Sequence, residues 1–234
     1  MSGIARDVGV VIVAAGQGTR ASGAPGELKQ FRWIAGKPML LHSLQRFQSR
    51  ADVAMVTCVL PREYAGDPPP WIFQSDLDRL LVTVGGRERT DSVRSGLDDL
   101  PAEVTIVVVH DAARPLVDDK TIERVIAAAR AGTGAIAALP VIDTLKEVDG
   151  DGRVVRTIDR SMLWRAQTPQ AFPRAMLEDA YARAERERVT ATDDAALCER
   201  FGLPVVVVRG SERAMKVTEE DDFARLEAIA GASP

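Results

Sequence analysis

The chain has 234 residues, and at roughly 150 residues per domain this is one large domain or one domain with a modest appendage. Apolar residues at 46% and charged residues at 27% mark a folded chain and exclude global disorder. Thirty basic against 34 acidic side chains leave a formal charge of −4 and a pI near 5.4, which excludes bulk attraction to nucleic acid or anionic lipid.

Cys58 and Cys198 lie in apolar segments, without a CxxC or a His/Cys cluster. They read as reduced core thiols, so the chain is expected to be cytoplasmic. The apolar run at 8–15 falls short of the roughly 20 residues a membrane span needs, and Asp7 beside Arg6 is unlike a secretory leader.

The run at 8–14, VGVVIVA, is continuous and β-branched, and comparable runs recur at 53–60, 81–84, 105–109, 135–139 and 204–208. Continuous hydrophobicity marks strands covered on both faces. Helical patterns lie between them at 38–49, 73–80, 91–100, 118–131, 173–188 and 219–230. The alternation predicts an α/β fold, Rossmann-like, with a mainly parallel central sheet. Pro38 is expected in the first turn of its helix, where a missing N–H costs nothing.

After the first strand, Ala14-Ala15-Gly16-Gln17-Gly18-Thr19-Arg20 offers small residues and two glycines that let backbone N–H groups approach an anion. The same glycines would equally serve a tight turn, and neither GxxxxGK[ST] nor GxGxxG is present. Arg20 and Lys29, joined by a turn-rich loop, are candidates to surround one polyphosphate.

Gly85-Gly86 with Arg89, Asp91 and Ser92 precedes an apolar-striped helix. These residues either approach a flat base or satisfy the helix's first donors. His110-Asp111-Ala112-Ala113-Arg114 begins where a strand ends, at the edge where open α/β sheets bind ligands. Asp111 offers hard oxygen for Mg²⁺ and Arg114 an anion fork, or the two pair internally. His110 reads as a packed residue.

Residues 143–158 alternate around DGDG, a strong hairpin signal. An isolated hairpin is marginal in water, so this arm docks on another subunit or folds back on its own domain. Thr192 is a candidate N-cap for the helical segment behind it, with Asp193 and Asp194 complementing its first-turn amides.

Taken together, AAGxGxR, a Lys-Gln pair, GGxxRxDSV, VHDAARP, DTxK, DRxxLWxAQTPQxF, TDDA and KVT resemble the 2-C-methyl-D-erythritol 4-phosphate cytidylyltransferase family, over nearly the whole chain. The resemblance implies a nucleotidyltransferase version of the α/β fold, spanning 1–234 as a single domain, with 143–158 as a dimerisation and acceptor-site arm. It implies cytidylyl transfer from CTP to a phosphorylated polyol, with Mg²⁺, in isoprenoid precursor synthesis.

By the same resemblance Arg20 and Lys29 are catalytic, and Ala14, Ala15, Gly16, Gly18, Gly85, Gly86, Arg89, Ser92 and Asp111 hold the nucleotide. Asp111 also serves the metal. Arg114, Thr144, Arg160, Thr168, Thr192 and Lys216 hold the acceptor, and the chain is expected to be a homodimer that binds neither nucleic acid nor membrane.

One departure stands out: Leu28 occupies the place of the family's usual proline, leaving φ free. The chain is expected to lack the cyclodiphosphate synthase domain of fused members. Two rival readings are a pentitol-phosphate cytidylyltransferase and a noncatalytic nucleotide-binding assembly protein.

Overall fold

The computed structural model describes residues 5–16 and 28–232, so the expectations for Gly18 and Arg20 lie outside the described residues. The opening apolar run is strand β1 (Val8–Val13). Val8, Val10 and Ile12 enter one core and Val11 the other, all fully buried. A strand covered on both faces needs apolar side chains at every position.

The chain continues through β2 (Trp33–Ile34), β3 (Lys37–Pro38), α1 (Met39–Gln48), β4 (Val53–Leu60), the single turn α2 (Arg62–Ala65) and β5 (Leu80–Val84). Next come α3 (Arg89–Asp98), β6 (Ile106–Asp111), α4 (Asp119–Arg130) and β7 (Gly134–Pro140). A two-stranded excursion follows, β8 (Leu145–Val148) and β9 (Val154–Ile158). The chain returns as β10 (Trp164–Pro173), then α5 (Arg174–Glu187), α6 (Asp194–Arg200), β11 (Val205–Arg209) and α7 (Asp221–Gly231).

Seven strands form one sheet in the order β11-β7-β10-β6-β1-β4-β5. Only β10 runs against its neighbours. Leu40, Leu44 and Phe47 of α1 and Ile122, Val125 and Ile126 of α4 fill one face. Val93 and Leu97 of α3, Leu177 and Tyr181 of α5 and Leu197 of α6 fill the other. A third cluster, Ile34, Met39, Val217, Phe223 and Leu226, seats α7 against β2 and the start of α1.

All six strands expected from continuous apolar runs are present. Strand β10 was not expected, because its sequence, WRAQTPQAFP, reads as polar and proline-broken. Gln167, Thr168 and Gln170 are nevertheless buried, each satisfied by a fixed partner. Gln170 donates to Asp193 Oδ2 at 2.8 Å and accepts from Ala195 N at 3.1 Å, while Gln167 donates to Ser211 O at 3.0 Å.

The helix expected at 73–80 is instead two 3-10 turns, Pro70–Gln74 and Leu77–Arg79, with Leu80 already in β5. Between the turns, Gln48 holds Asp76 by both its backbone N–H and its carbonyl. Pro38 stands just before α1 as its N-cap, at ψ 139°, rather than in the first turn. Asp193, not Thr192, caps α6, accepting from Ala196 N at 3.0 Å.

The hairpin at 143–158 forms as expected. Strands β8 and β9 pair only with each other, in a sheet of their own. Asp149 closes the turn by accepting from the N–H groups of Asp151 and Arg153. Val148, Val154 and Val155 are all more than half exposed. Among the described residues no helix is long and apolar enough to cross a membrane.

Candidate active site

Strands β1 and β6 end in register, Val13 opposite Asp111, while β5 ends at Val84 beside Leu60 of β4. The loops after β1, β5 and β6 therefore open on one edge of the sheet. Gln30 fixes the first of them: its Nε2 donates to Ala14 O at 2.6 Å and to Gly16 O at 3.0 Å. The 3-10 turn Lys29–Phe31 that carries Gln30 also aims Lys29, whose Nζ donates to Val217 O at 2.9 Å. Leu28 sits at φ −77° with its side chain buried, a backbone angle that proline also adopts.

The second loop approaches too closely for any side chain at Gly85 or Gly86. A Cβ on Gly85 would overlap the Ala15 methyl, and one on Gly86 would overlap the Asp91 side chain. Asp91 forms a capping box with Glu88 at the start of α3, accepting from Glu88 N at 3.0 Å. Ser92 Oγ accepts from Gly86 N and donates to Glu88 O, both at 3.2 Å. The expected helix-start role of Asp91 and Ser92 is thus present at the wall of the cleft.

A cavity of about 230 Å³ lies between these loops, lined by Ala14, Ala15, Gly16, Lys29, Gln30, Gly86, Arg89, Ser92, Asp111 and Lys216, among others. Gly85 stands behind this wall, packed on Ala15 and Leu60. The glycines thus let the loops after β1 and β5 meet.

Asp111 is the charged centre of the edge. Its Oδ1 lies 3.3 Å from Arg89 Nε, and its Oδ2 accepts from Lys216 Nζ at 2.7 Å. Burial alone would raise its pKa, but the Arg89 and Lys216 cations outweigh burial and hold the carboxyl well below the usual range. Val217 places Lys216, its N–H donating to Ala113 O at 2.9 Å and its carbonyl receiving Lys29.

Beneath Asp111, its backbone N–H donates to Thr168 Oγ1 at 2.9 Å, and Thr168 Oγ1 lies 3.2 Å from His110 Nδ1. His110 Nε2 meets Arg114 O at 3.1 Å. Since the Arg114 carbonyl can only accept, the neutral ring carries its proton on Nε2 and donates there, and Nδ1 accepts from the Thr168 hydroxyl. Burial pushes the imidazole down to about 4, so it is neutral in this arrangement.

A second cavity of about 240 Å³ shares Arg89, Asp111 and Lys216 with the first. It is further lined by Arg114, Ala166, Gln167, Thr168, Gln170, Thr192 and Asp193. Arg114 donates from Nη1 to Ala214 O at 2.8 Å, and its buried Nε has no hydrogen-bond partner among the described residues. Thr192 lines this cavity, whereas the Thr168 hydroxyl is engaged beneath Asp111.

Thr144 and Arg160 are exposed at the two ends of the arm and line neither cavity. Sequence reasoning did not single out Gln167 or Gln170, and it read Asp194 as a first-turn helix carboxylate rather than as a partner of Arg89; their partners lie on distant segments.

Among the described residues no group of three or more His, Cys, Asp or Glu side chains gathers to hold a metal. Mg²⁺ is commonly held by one or two carboxylates together with substrate phosphates. One ionised carboxylate facing an anion-sized cavity fits that pattern.

A mainly parallel sheet whose carboxyl edge places cations and one carboxylate between two adjoining cavities defines a nucleotidyltransferase-type site. The chain belongs to the 2-C-methyl-D-erythritol 4-phosphate cytidylyltransferase (IspD) family, whose model matches residues 8–232. It is 42% identical over 222 residues to the enzyme of that name from Syntrophus aciditrophicus, covering 94% of each chain.

A bifunctional IspD/IspF enzyme of Solidesulfovibrio magneticus is 44% identical over 231 residues, 96% of this chain and 57% of that protein. The crystal structure of the 2-C-methyl-D-erythritol 4-phosphate cytidylyltransferase from Thermus thermophilus matches with TM-score 0.79 and 34% identity. The match covers 97% of this chain and all of that one.

Proposed function

We infer that the chain transfers a cytidylyl group from CTP to 2-C-methyl-D-erythritol 4-phosphate, releasing pyrophosphate and forming 4-diphosphocytidyl-2-C-methyl-D-erythritol for isoprenoid precursor synthesis. Family membership over residues 8–232 supports the chemistry. The observation that carries the residue assignment is the wall of Arg89, Asp111 and Lys216 common to two cavities. The first cavity takes the nucleotide, the second the acceptor.

An oxygen of the acceptor phosphate attacks the α-phosphorus of CTP. A new P–O bond forms, the α–β bridge breaks, and its electron pair leaves on pyrophosphate. An ionised phosphate monoester is already nucleophilic, so the chain's task is in-line placement and charge compensation.

Lys29 and Arg20 stabilise the charge that develops on the transferring group and the leaving phosphates. Ala14, Ala15, Gly16 and Gly18 admit the triphosphate, Gly86, Arg89 and Ser92 form the base side, and Gly85 behind them lets that loop pack on Ala15. Asp111 would hold Mg²⁺, which supplies neutralisation of phosphate charge. Arg114 and Lys216, both on the second cavity, receive the acceptor phosphate, and Thr192 and the Thr168 wall bound it.

Residues 1–234 act as one domain from which 143–158 projects as an arm, and the working assembly is a homodimer. Exposure of Val148, Val154 and Val155 supports an arm that is buried by a second subunit, carrying Thr144 and Arg160 to the partner's acceptor cavity. The buried free thiols of Cys58 and Cys198 fit a cytoplasmic site of action.

A pyrophosphate-release panel tests the whole reading, with CTP or UTP against methylerythritol phosphate, ribitol phosphate and glycerol phosphate. Release is expected with CTP and methylerythritol phosphate. Preference for ribitol phosphate would favour the pentitol reading, and binding of CTP without release would favour the noncatalytic one.

A further inference from the structure

Asp194 is fully buried, yet nothing in the transfer chemistry requires it. Its Oδ1 accepts from the Tyr181 hydroxyl at 2.6 Å, and its Oδ2 lies 2.9 Å from Arg89 Nη2 as an ion pair. The same guanidinium reaches Asp111 through Nε, and Asp111 reaches Lys216. Alternating charges thus run from the layer of α5 and α6 to the wall between the two cavities.

Asp194 has little freedom to swing away. Its helix is held by Gln170, which bonds Asp193 on one side and Ala195 N on the other. Burying a carboxylate is costly, and an apolar side chain of similar volume often serves packing as well. A charge kept at this depth therefore acts on other charge.

Arg89 is shared between two carboxylates, so removing one leaves the whole cation to the other. We infer that Asp194 is a positioning residue for the donor site: by holding Arg89 and cancelling its charge, it leaves the Asp111 carboxylate able to accept a divalent cation. The inference deepens the cytidylyl-transfer reading and rests on it.

The sign of the effect is opposite for cations and anions. Arg89, Lys216 and the nearby Arg114 face Asp111 and Asp194, and replacing Asp194 by Asn adds one positive charge to this cluster. Excess positive charge repels Mg²⁺ and attracts the metal-free nucleotide, and at low effective dielectric this is felt over several ångströms. A merely structural loosening weakens both.

The test uses Asp194→Asn in the full chain, with folding checked by thermal unfolding. The Mg²⁺ midpoint for activity at saturating CTP is expected to rise about fivefold or more. Calorimetry without metal is expected to show CTP binding about twofold tighter or more. Any other pattern in the folded variant overturns the inference.

Should Asp194→Asn not fold, Tyr181→Phe decides. It removes the competing donor, gives Asp194 wholly to Arg89, and is expected to lower the Mg²⁺ midpoint; a midpoint that stays or rises overturns the inference. Wild-type protein that neither binds CTP nor responds to Mg²⁺ would instead sink the transfer reading, and the inference with it.

Discussion

Lys29 and His110 are both set by neighbours far away in the chain, and they lead to different tests. Lys29 donates to the carbonyl of Val217 and lines the first cavity, so its charge is held beside the proposed place of the phosphates. Lys29→Ala is expected to lower kcat by about 2–4 kcal/mol of transition-state stabilisation, roughly 30- to 1,000-fold, while circular dichroism shows an intact fold. Near-wild-type steady-state kinetics would reject a catalytic role. For His110 the readout is stability. Its native pKa is pushed down to about 4 from 6.5, so between those values the unfolded chain takes up a proton that the native chain refuses. Stability from this group is full above about pH 6.5 and falls as the pH drops toward about 4, by on the order of 3 kcal/mol. Urea unfolding across about pH 4–7 should show this slope in the wild type and lose it in His110→Gln. Equal slopes would show that His110 titrates normally.

At the scale of elements, the first cavity depends on how closely the loop before α3 folds onto the start of that helix. Gly86→Ala forces a methyl against Asp91, which closes the capping box of α3, and overpacking of this kind costs about 1–3 kcal/mol. The helix start should shift, and the KM for CTP should rise on the order of tenfold. An unchanged KM would mean that this loop does not shape the nucleotide site. Such a contact was only half legible in the sequence: GG marked a close approach, but not whether toward ligand or toward Ala15 and Asp91. The six parallel strands were legible because burial on both faces demands an unbroken apolar run, as in β1. Strand β10 was not, because Gln167, Thr168 and Gln170 are buried against partners on the segments 109–111, 193–195 and 211, and no local pattern announces them. Asp111 stood out as a carboxylate at a strand end. Asp194 was legible only as a carboxylate at a helix start, since its pairing depends on Arg89 and Tyr181, which arrive from other helices.

The whole molecule poses the question of the arm. Strands β8 and β9 have no sheet neighbour but each other, and a lone two-stranded hairpin is marginal in water. Val148, Val154 and Val155 on it, and Ile142, Met162 and Trp164 at its base, are all exposed. Trp164, the aromatic at that base, remains 43% exposed, so within one chain it gives the arm little support. A symmetric dimer that buries both arms would supply it and carry Arg160 to the neighbour's acceptor cavity. If Arg160 acts in trans while Lys29 acts in its own subunit, two inactive variants should repair one another. In a mixture of Arg160→Ala and Lys29→Ala chains, a heterodimer has one site with Lys29 from the first chain and Arg160 from the second. Its other site carries both defects. Equimolar exchange leaves half the dimers mixed and one site in two repaired, so recovery should approach about a quarter of wild-type activity. Heterodimers that form but recover nothing would place Arg160 in its own subunit's site or outside catalysis. A fully active monomer in sedimentation would remove the dimer altogether.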